Sequence, residues 1–417
     1  MLLHLQSLLG IVVILFAAWA MSENRRALPV RAIVVGLALQ VCLALLLLKF
    51  PPARNALFAL NGAVDALMAA TKAGTSFVFG YVGGGAAPYA VAAPANATIF
   101  AFQILPLVIV ISALAALLWY WRVLPLIVGG FAWCLKRTMG IGGAIGLGSA
   151  ATIFLGMIEA PLLIRPYLMK LTRAELFMLF SVGLATVAGT VFVLYATILE
   201  PVLPGALGHI LVASFMSLPG AILIARIMIP DDAKTEAVSD HAPEFKYRSS
   251  MDAVARGTED GLKLWLSIVA MLLVIVALVA LADIVLGHLP DVWGAPLSIE
   301  RVFGWIFAPV VWLFGVAWDQ AATAGSLMGQ KIVLNEFVAY LKLAHLPPGA
   351  LDARSNLIMV YAMCGFANFG SVGIMIAGVS ALVPERRDEI VPLAMRALVS
   401  GAMASGLTGA MIGLLPL

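Results

Sequence analysis

Two glutamates stand where an apolar chain gains nothing from a bare charge. Glu159 lies in FLGMIEAPLL (154–163), between Gly156 and Pro161, and Glu336 lies in NEF (335–337). A carboxylate at bilayer depth costs about 2.5–3.5 kcal/mol even on lenient scales. Each is therefore either held for a solute or satisfied by backbone N–H groups of its own turn, and two equivalent glutamates are hard to explain as packing. LATVAG (184–189) and GFANFGSVG (365–373) also set hydrogen-bonding side chains among small residues. Such stretches break helices, whose half-helix N-termini suit polar solutes and whose freed carbonyls suit cations. Asn368 and Ser371 read either as solute ligands or as interhelical hydrogen bonds. Thr152 and Thr186 read either as pocket groups or as hydroxyls bonded back into their own helices.

The elements that carry these residues are membrane helices. Of 417 residues, 63% are hydrophobic and 11% charged, too little polar surface for a soluble chain of this size. Stretches 3–20, 32–48, 99–119, 206–224 and 264–282 are nearly uncharged and long enough to cross about 30 Å of hydrocarbon. The fold class is thus an all-α polytopic membrane protein, since a β-barrel would show short alternating segments. A net charge of +3 does not suggest a nucleic-acid partner. Cys42, Cys134 and Cys364 sit in apolar contexts without metal-type spacing and read as structural thiols. The five histidines are scattered, and no P-loop, HExxH or GxSxG signature is present, so the chain does not read as an enzyme. The first apolar stretch lacks a basic leader and a cleavage motif and reads as a retained span.

Basic residues set the orientation. Arg25, Arg26 and Arg31 place the first loop in the cytoplasm and the N-terminus outside. A second span covers about 32–49, 51–75 reads as an amphipathic interfacial helix, and a third span covers about 96–121. Residues 141–171, interrupted by glycines, Glu159 and two prolines, begin and end beside cytoplasmic basic residues and read as a re-entrant hairpin. Spans at 174–199 and 204–228 follow, then a polar cytoplasmic linker at 230–250, a short surface helix at 251–260 and a span at 262–284. Residues 301–345 repeat the interrupted pattern before spans at 354–380 and 389–415. The expected organisation has spans 1–3 and interfacial helices in 1–139, and a first hairpin with two spans in 140–229. Linker, span and outer loop fill 230–300, and a second hairpin with two spans fills 301–417. Two interrupted segments in inverted halves point to a midplane transport site.

FLGMIEAPLLIRPYL with LTRAELF, LATVAGTV, ARGTEDGLKLW, GWIFAP, NEFVAYLKL, CGFANFGSVGIMIAG and PERRDEI follow one another in an order that resembles the concentrative nucleoside transporters over nearly the whole chain. The resemblance implies eight spans, two opposed re-entrant hairpins in an inverted repeat, interfacial helices, and a homotrimer in a bacterial inner membrane. It also implies elevator movement of a transport domain, the hairpins and the spans after them, against a scaffold of the earlier spans and 262–284. It assigns Gly156, Met157, Ile158, Glu159 and Val191 to the nucleobase, Glu336, Asn368 and Ser371 to the ribose, and Phe366 to the pocket wall. An ionised carboxylate is acceptor-only and takes two vicinal hydroxyls together, so such a site discriminates against sugars that lack one.

Two departures from the family pattern shape the expectation. Met157-Ile158 stand where many members carry Gln-Thr, which hydrogen-bonds the base edge; Met after this glycine is similar to purine-preferring relatives, which implies purine or broad selectivity. Thr152 and Thr186 stand where sodium-coupled members carry an asparagine and a serine, with Leu155 and Val187 able to add carbonyls. Proton-coupled relatives also lack that asparagine, so the coupling ion reads as sodium or proton, with sodium favoured by family prevalence and no other cofactor expected. The competing reading is a carrier or channel for another small polar solute, such as a nucleobase or modified nucleoside.

Overall fold

The computed structural model describes residues 2–90, 98–231, 247–292 and 294–415, side chains at 2, 54 and 56–61 excepted. The described residues are helical almost throughout, and their only β-type pairing is an isolated bridge between Val292 and Ala295. Helices α1 (Leu2–Ala20) and α2 (Val30–Leu48) precede the long α3 (Pro51–Phe79), which the mixed composition of 51–75 anticipates. Next come α4 (Phe100–Gln103), α5 (Leu107–Tyr120) and α6 (Val123–Met139). The third expected span is therefore broken just before Leu107, because Pro106 has no N–H to donate and opens a new helix.

The first interrupted segment folds as α7 (Gly143–Leu155), α8 (Glu159–Leu163) and α9 (Arg165–Leu168). Gly156 adopts φ +102°, a conformation open to glycine at little cost, and this turns the chain between α7 and α8. The expected span at 174–199 is two helices, α10 (Arg173–Ala185) and α11 (Gly189–Leu199), separated at LATVAG. A capping box starts α10: Glu175 N–H donates to Thr172 Oγ1 at 3.2 Å, and Thr172 N–H donates to Glu175 Oε2 at 3.0 Å. Helix α12 (Ala206–Met228) is nearly all buried.

Helix α13 (Ser250–Leu286) corrects the sequence reading, which had a surface helix at 251–260 separate from a span at 262–284. It runs unbroken for 37 residues. Its two glycines do not interrupt it, since they lie against α5: a Cβ on Gly257 would meet Ser112 O at 2.7 Å, and one on Gly261 would meet Ile109 Cα at 2.7 Å. Most of the linker expected at 230–250 lies outside the described residues.

The second interrupted segment is three helices, α14 (Ile299–Phe314), α15 (Trp318–Val333) and α16 (Glu336–Ala344), with α14 and α15 bent by 113°. Gly315 at that corner has φ +109°. Helices α17 (Ala353–Met363) and α18 (Phe369–Leu382) replace one expected span, broken at CGFAN, and α19 (Arg387–Leu414) ends the described chain. Among the described residues, seven helical segments are long and apolar enough to cross a bilayer, or eight if the bent pair counts as one.

The core is formed by α10, α12, α17 and α19, with α1 and α2 against α19 and α12, while α13 packs chiefly on α5. At one end Arg354 donates to the carbonyls of Gly315 and Gly413, tying the α14–α15 corner to the end of α19. At the other end Glu23 accepts from Arg173 at 3.0 Å and from Arg396. Burial pushes the Glu23 carboxyl up, but these two guanidinium groups together outweigh it and hold Glu23 below its ordinary value. The second interrupted segment is thus pinned by its corner, which leaves its Asn335-Glu336 turn to face the first.

Candidate functional site

The two broken helix pairs meet at their breaks. Phe366 N–H donates to Thr186 O at 3.2 Å, joining the α17–α18 break to the α10–α11 break. The two glutamates begin short helices on either side of this junction, Glu159 as the first residue of α8 and Glu336 as the first residue of α16. Asn335 caps α16 by accepting from Val338 N–H at 2.9 Å. Asn368 caps α18 by accepting from Ser371 N–H at 2.8 Å.

Between these turns lies a cavity of about 260 Å³. Gly156, Met157, Ile158, Glu159, Val191, Glu336, Phe366, Asn368 and Ser371 all line it. A larger cleft of about 630 Å³ opens near Arg31 and Arg226 but holds none of these residues. The polar groups of the smaller cavity converge from separate helices, as solute sites require.

Glu336 is 4% exposed and fully engaged on its protein side. Tyr195 Oη donates to its Oε1 at 2.6 Å, and Asn368 Nδ2 donates to its Oε2 at 3.1 Å. The Tyr195 ring is fixed by Tyr340 and Phe337, with centroids 5.2 and 6.1 Å away. A carboxylate has about four acceptor positions, so two remain for donors entering from the cavity. Glu159, across the cavity, is exposed to it and faces the backbone N–H groups of Ile158 and of its own residue. The carboxylate thus lies beside the backbone of its own turn and also opens onto the cavity.

Thr152, Thr186 and Val187 are buried and do not line the cavity; Leu155 does. Thr152 Oγ1 donates to Ser149 O at 2.7 Å, and Thr186 Oγ1 donates to Val182 O at 2.9 Å. Both hydroxyl protons are therefore spent within their own helices, and the oxygens keep lone pairs that a small cation would accept. No group of three or more His, Cys, Asp or Glu residues could hold a metal among the described residues.

Several lining residues escaped the sequence reading. Tyr195 follows Val191 by four positions and so shares its helix face, a signal that was available once Val191 was in view. Thr190 has the same kind of local signal, beside Gly189 at the helix start. Ser267, with Leu264, Ile268, Met271 and Leu272, brings α13 to the cavity. Nothing in that apolar run marks one face as functional.

Known proteins bear on this site. Residues 9–82 match the family described as Na+ dependent nucleoside transporter N-terminus, and residues 209–413 match its C-terminal counterpart. Residues 101–202 match a family described as a gate for nucleoside recognition. The nucleoside permease NupC of Helicobacter pylori is 35% identical over 416 residues, covering 98% of this chain and 97% of the permease. The transporter YutK of Bacillus subtilis is 34% identical over 418 residues, 98% of this chain and 99% of that protein. Among solved structures, CNTnw in an inward-facing substrate-bound state superposes with a TM-score of 0.89 at 33% identity, covering 98% of each chain.

Proposed function

The chain belongs to the concentrative nucleoside transporter family, and on that premise we propose that it is a cation-coupled symporter carrying nucleosides into the cell. One observation carries the reading: Glu336, clamped by Tyr195 and Asn368, presents its remaining acceptor positions to a cavity just across from Glu159. That arrangement suits the vicinal hydroxyls of a ribose, with the base toward Gly156, Met157, Ile158, Glu159 and Val191, and Phe366 and Ser371 completing the wall. Met157 and Ile158 have no strong hydrogen-bonding atoms, so the base is read by shape, by Glu159 and by backbone, which favours purine or broad selectivity over strict pyrimidine recognition. The name of the Helicobacter pylori relative, a nucleoside permease, agrees with the solute class.

In this reading the chain has eight spans and two opposed re-entrant hairpins, α7–α9 and α14–α16, in an inverted repeat. It assembles as a homotrimer in a bacterial inner membrane with its N-terminus outside. Solute crosses by an elevator movement of the hairpins and the broken helices against a static framework. The packing favours the α5–α13 pair as the core of that framework. It favours assigning α1 and α2, which pack on α19 and α12, to the moving body instead of the scaffold expected over 1–139. Sodium is the coupling ion we favour, at oxygens of Thr152, Leu155, Thr186 and Val187, with a proton as the alternative.

Uptake of labelled uridine and adenosine into proteoliposomes tests the reading. Accumulation above the outside concentration is expected with an inward sodium gradient and is expected to vanish with choline in place of sodium. Accumulation under a pH gradient alone would assign the proton instead. Absence of counterflow would mark a channel and overturn the carrier reading.

A further inference from the structure

Three charged side chains are buried among the described residues: Glu175, Lys331 and Glu336. Glu175 is spent in the capping box of α10. The other two belong to one interrupted segment, Lys331 in the last turn of α15 and Glu336 at the start of α16, separated by the break that forms the turn. Lys331 is 0% exposed, and its Nζ donates to Ser405 Oγ on α19 at 3.4 Å. It lies within electrostatic range of Glu336. It makes no direct ion pair with Glu336, its Nζ being held on Ser405, and it does not line the cavity, so its ammonium is not beside a solute.

An ammonium sealed in the protein interior is costly unless an opposite charge answers it. Among the described residues Glu336 is the one carboxylate within electrostatic range of Lys331. The other titratable groups in range of this pair are Tyr195 from α11, Tyr340 from α16 and Cys364 after α17, all neutral in their ordinary forms. The last turn of a helix also carries negative partial charge that favours a lysine there.

We propose that Lys331 is the built-in countercharge of Glu336, a positioning residue that neutralises the sugar-binding carboxylate from outside the cavity and leaves its cavity-facing lone pairs for hydroxyl donors. A mobile coupling cation is then not required at the sugar end of the site. The chain carries its own cation for Glu336, and the transported cation answers the remaining charge near the first turn. This inference rests on the reading of Glu336 as the ribose ligand.

The test is equilibrium binding of uridine and 2′,3′-dideoxyuridine to the purified full chain, for wild type, Lys331→Gln, Glu336→Gln and the double variant. Lys331→Gln is expected to weaken uridine binding about tenfold, the difference between charged and neutral hydrogen bonds to the sugar. It should leave dideoxyuridine nearly unchanged, and in the Glu336→Gln background its effect should shrink below about twofold, the signature of coupled residues. If Lys331→Gln alone does not fold, recovery of folding in the double variant supports the pairing. An equal loss with and without Glu336, an unaltered preference for uridine over dideoxyuridine, or failure of both variants to fold assigns Lys331 to packing and overturns the proposal. A Glu336→Gln variant that discriminates the two sugars as wild type does would overturn the ribose assignment itself, and the countercharge role with it.

Discussion

Replacing Glu336 by glutamine changes one oxygen to an NH2 group and removes the charge while conserving shape. On the protein side, Oε1 accepts from Tyr195 at 2.6 Å and Oε2 from Asn368 at 3.1 Å. A glutamine can accept from Asn368 through its oxygen and donate its NH2 to the Tyr195 hydroxyl, which must then turn its own proton away, so one buried bond is lost. At a residue 4% exposed, that conflict costs about 1–3 kcal/mol of stability. On the solute side, two hydroxyl bonds to a charged acceptor, about 1.5–3 kcal/mol each, become neutral bonds of about 0.5–1.5 kcal/mol. The loss is about 2 kcal/mol of binding, or roughly 30-fold in Kd. The expected result is therefore a lowered Tm and a Kd for uridine raised about 30-fold, with the Kd for 2′,3′-dideoxyuridine nearly unmoved. Titration calorimetry on the purified chain reads both constants. A change under about threefold for uridine, or the same fold loss for both nucleosides, would refute the assignment of Glu336 to the sugar.

Met157→Gln places an amide beside the base and is expected to shift the uptake ratio from adenosine toward uridine by up to about tenfold, the value of one neutral hydrogen bond; an unaltered ratio in competition assays counts against Met157 as a base contact. Gly156→Ala forces a side chain onto φ +102°, with its Cβ 3.0 Å from Glu159 Oε2 and 3.2 Å from Ala188 Cβ. Strain of about 1–3 kcal/mol should lower both Tm and nucleoside affinity, and a variant matching wild type in both measures would show that the turn is not under this constraint. Glu23 has its folded value depressed, so the stability it contributes is present above its unfolded value and is lost as pH falls through the folded one. The difference in unfolding free energy between wild type and Glu23→Gln should accordingly be small at neutral pH, at most about 1 kcal/mol for so exposed a cluster, and should close in acid, read as converging Tm values; a difference that grows on acidification contradicts this.

The chemistry of the site was legible in the chain because the membrane makes polarity informative. Where almost everything is apolar, Glu159, Glu336, Asn368 and Ser371 stand out, and the small residues beside them announce breaks that the helices α10–α11 and α17–α18 indeed contain. The recurrence of an interrupted segment followed by two further apolar stretches was equally visible. Less visible were residues whose type is unremarkable where they sit. Lys331 was not singled out in the sequence, and only the packing of α15 on α19 turns it into a buried ion.

Sequence by itself determined the class of molecule, the breaks beside Glu159, Glu336, LATVAG and CGFAN, and the pair of carboxylates, since these follow from local composition and backbone chemistry. Tertiary structure alone decided that nine candidates from four separate stretches share one cavity, and that Tyr195 and Asn368 divide the oxygens of Glu336. It also decided that α13 is one helix whose Ser267 lines the cavity. Those are contacts between residues far apart in the chain, set by how the broken helices dock. No local preference of a residue carries that information.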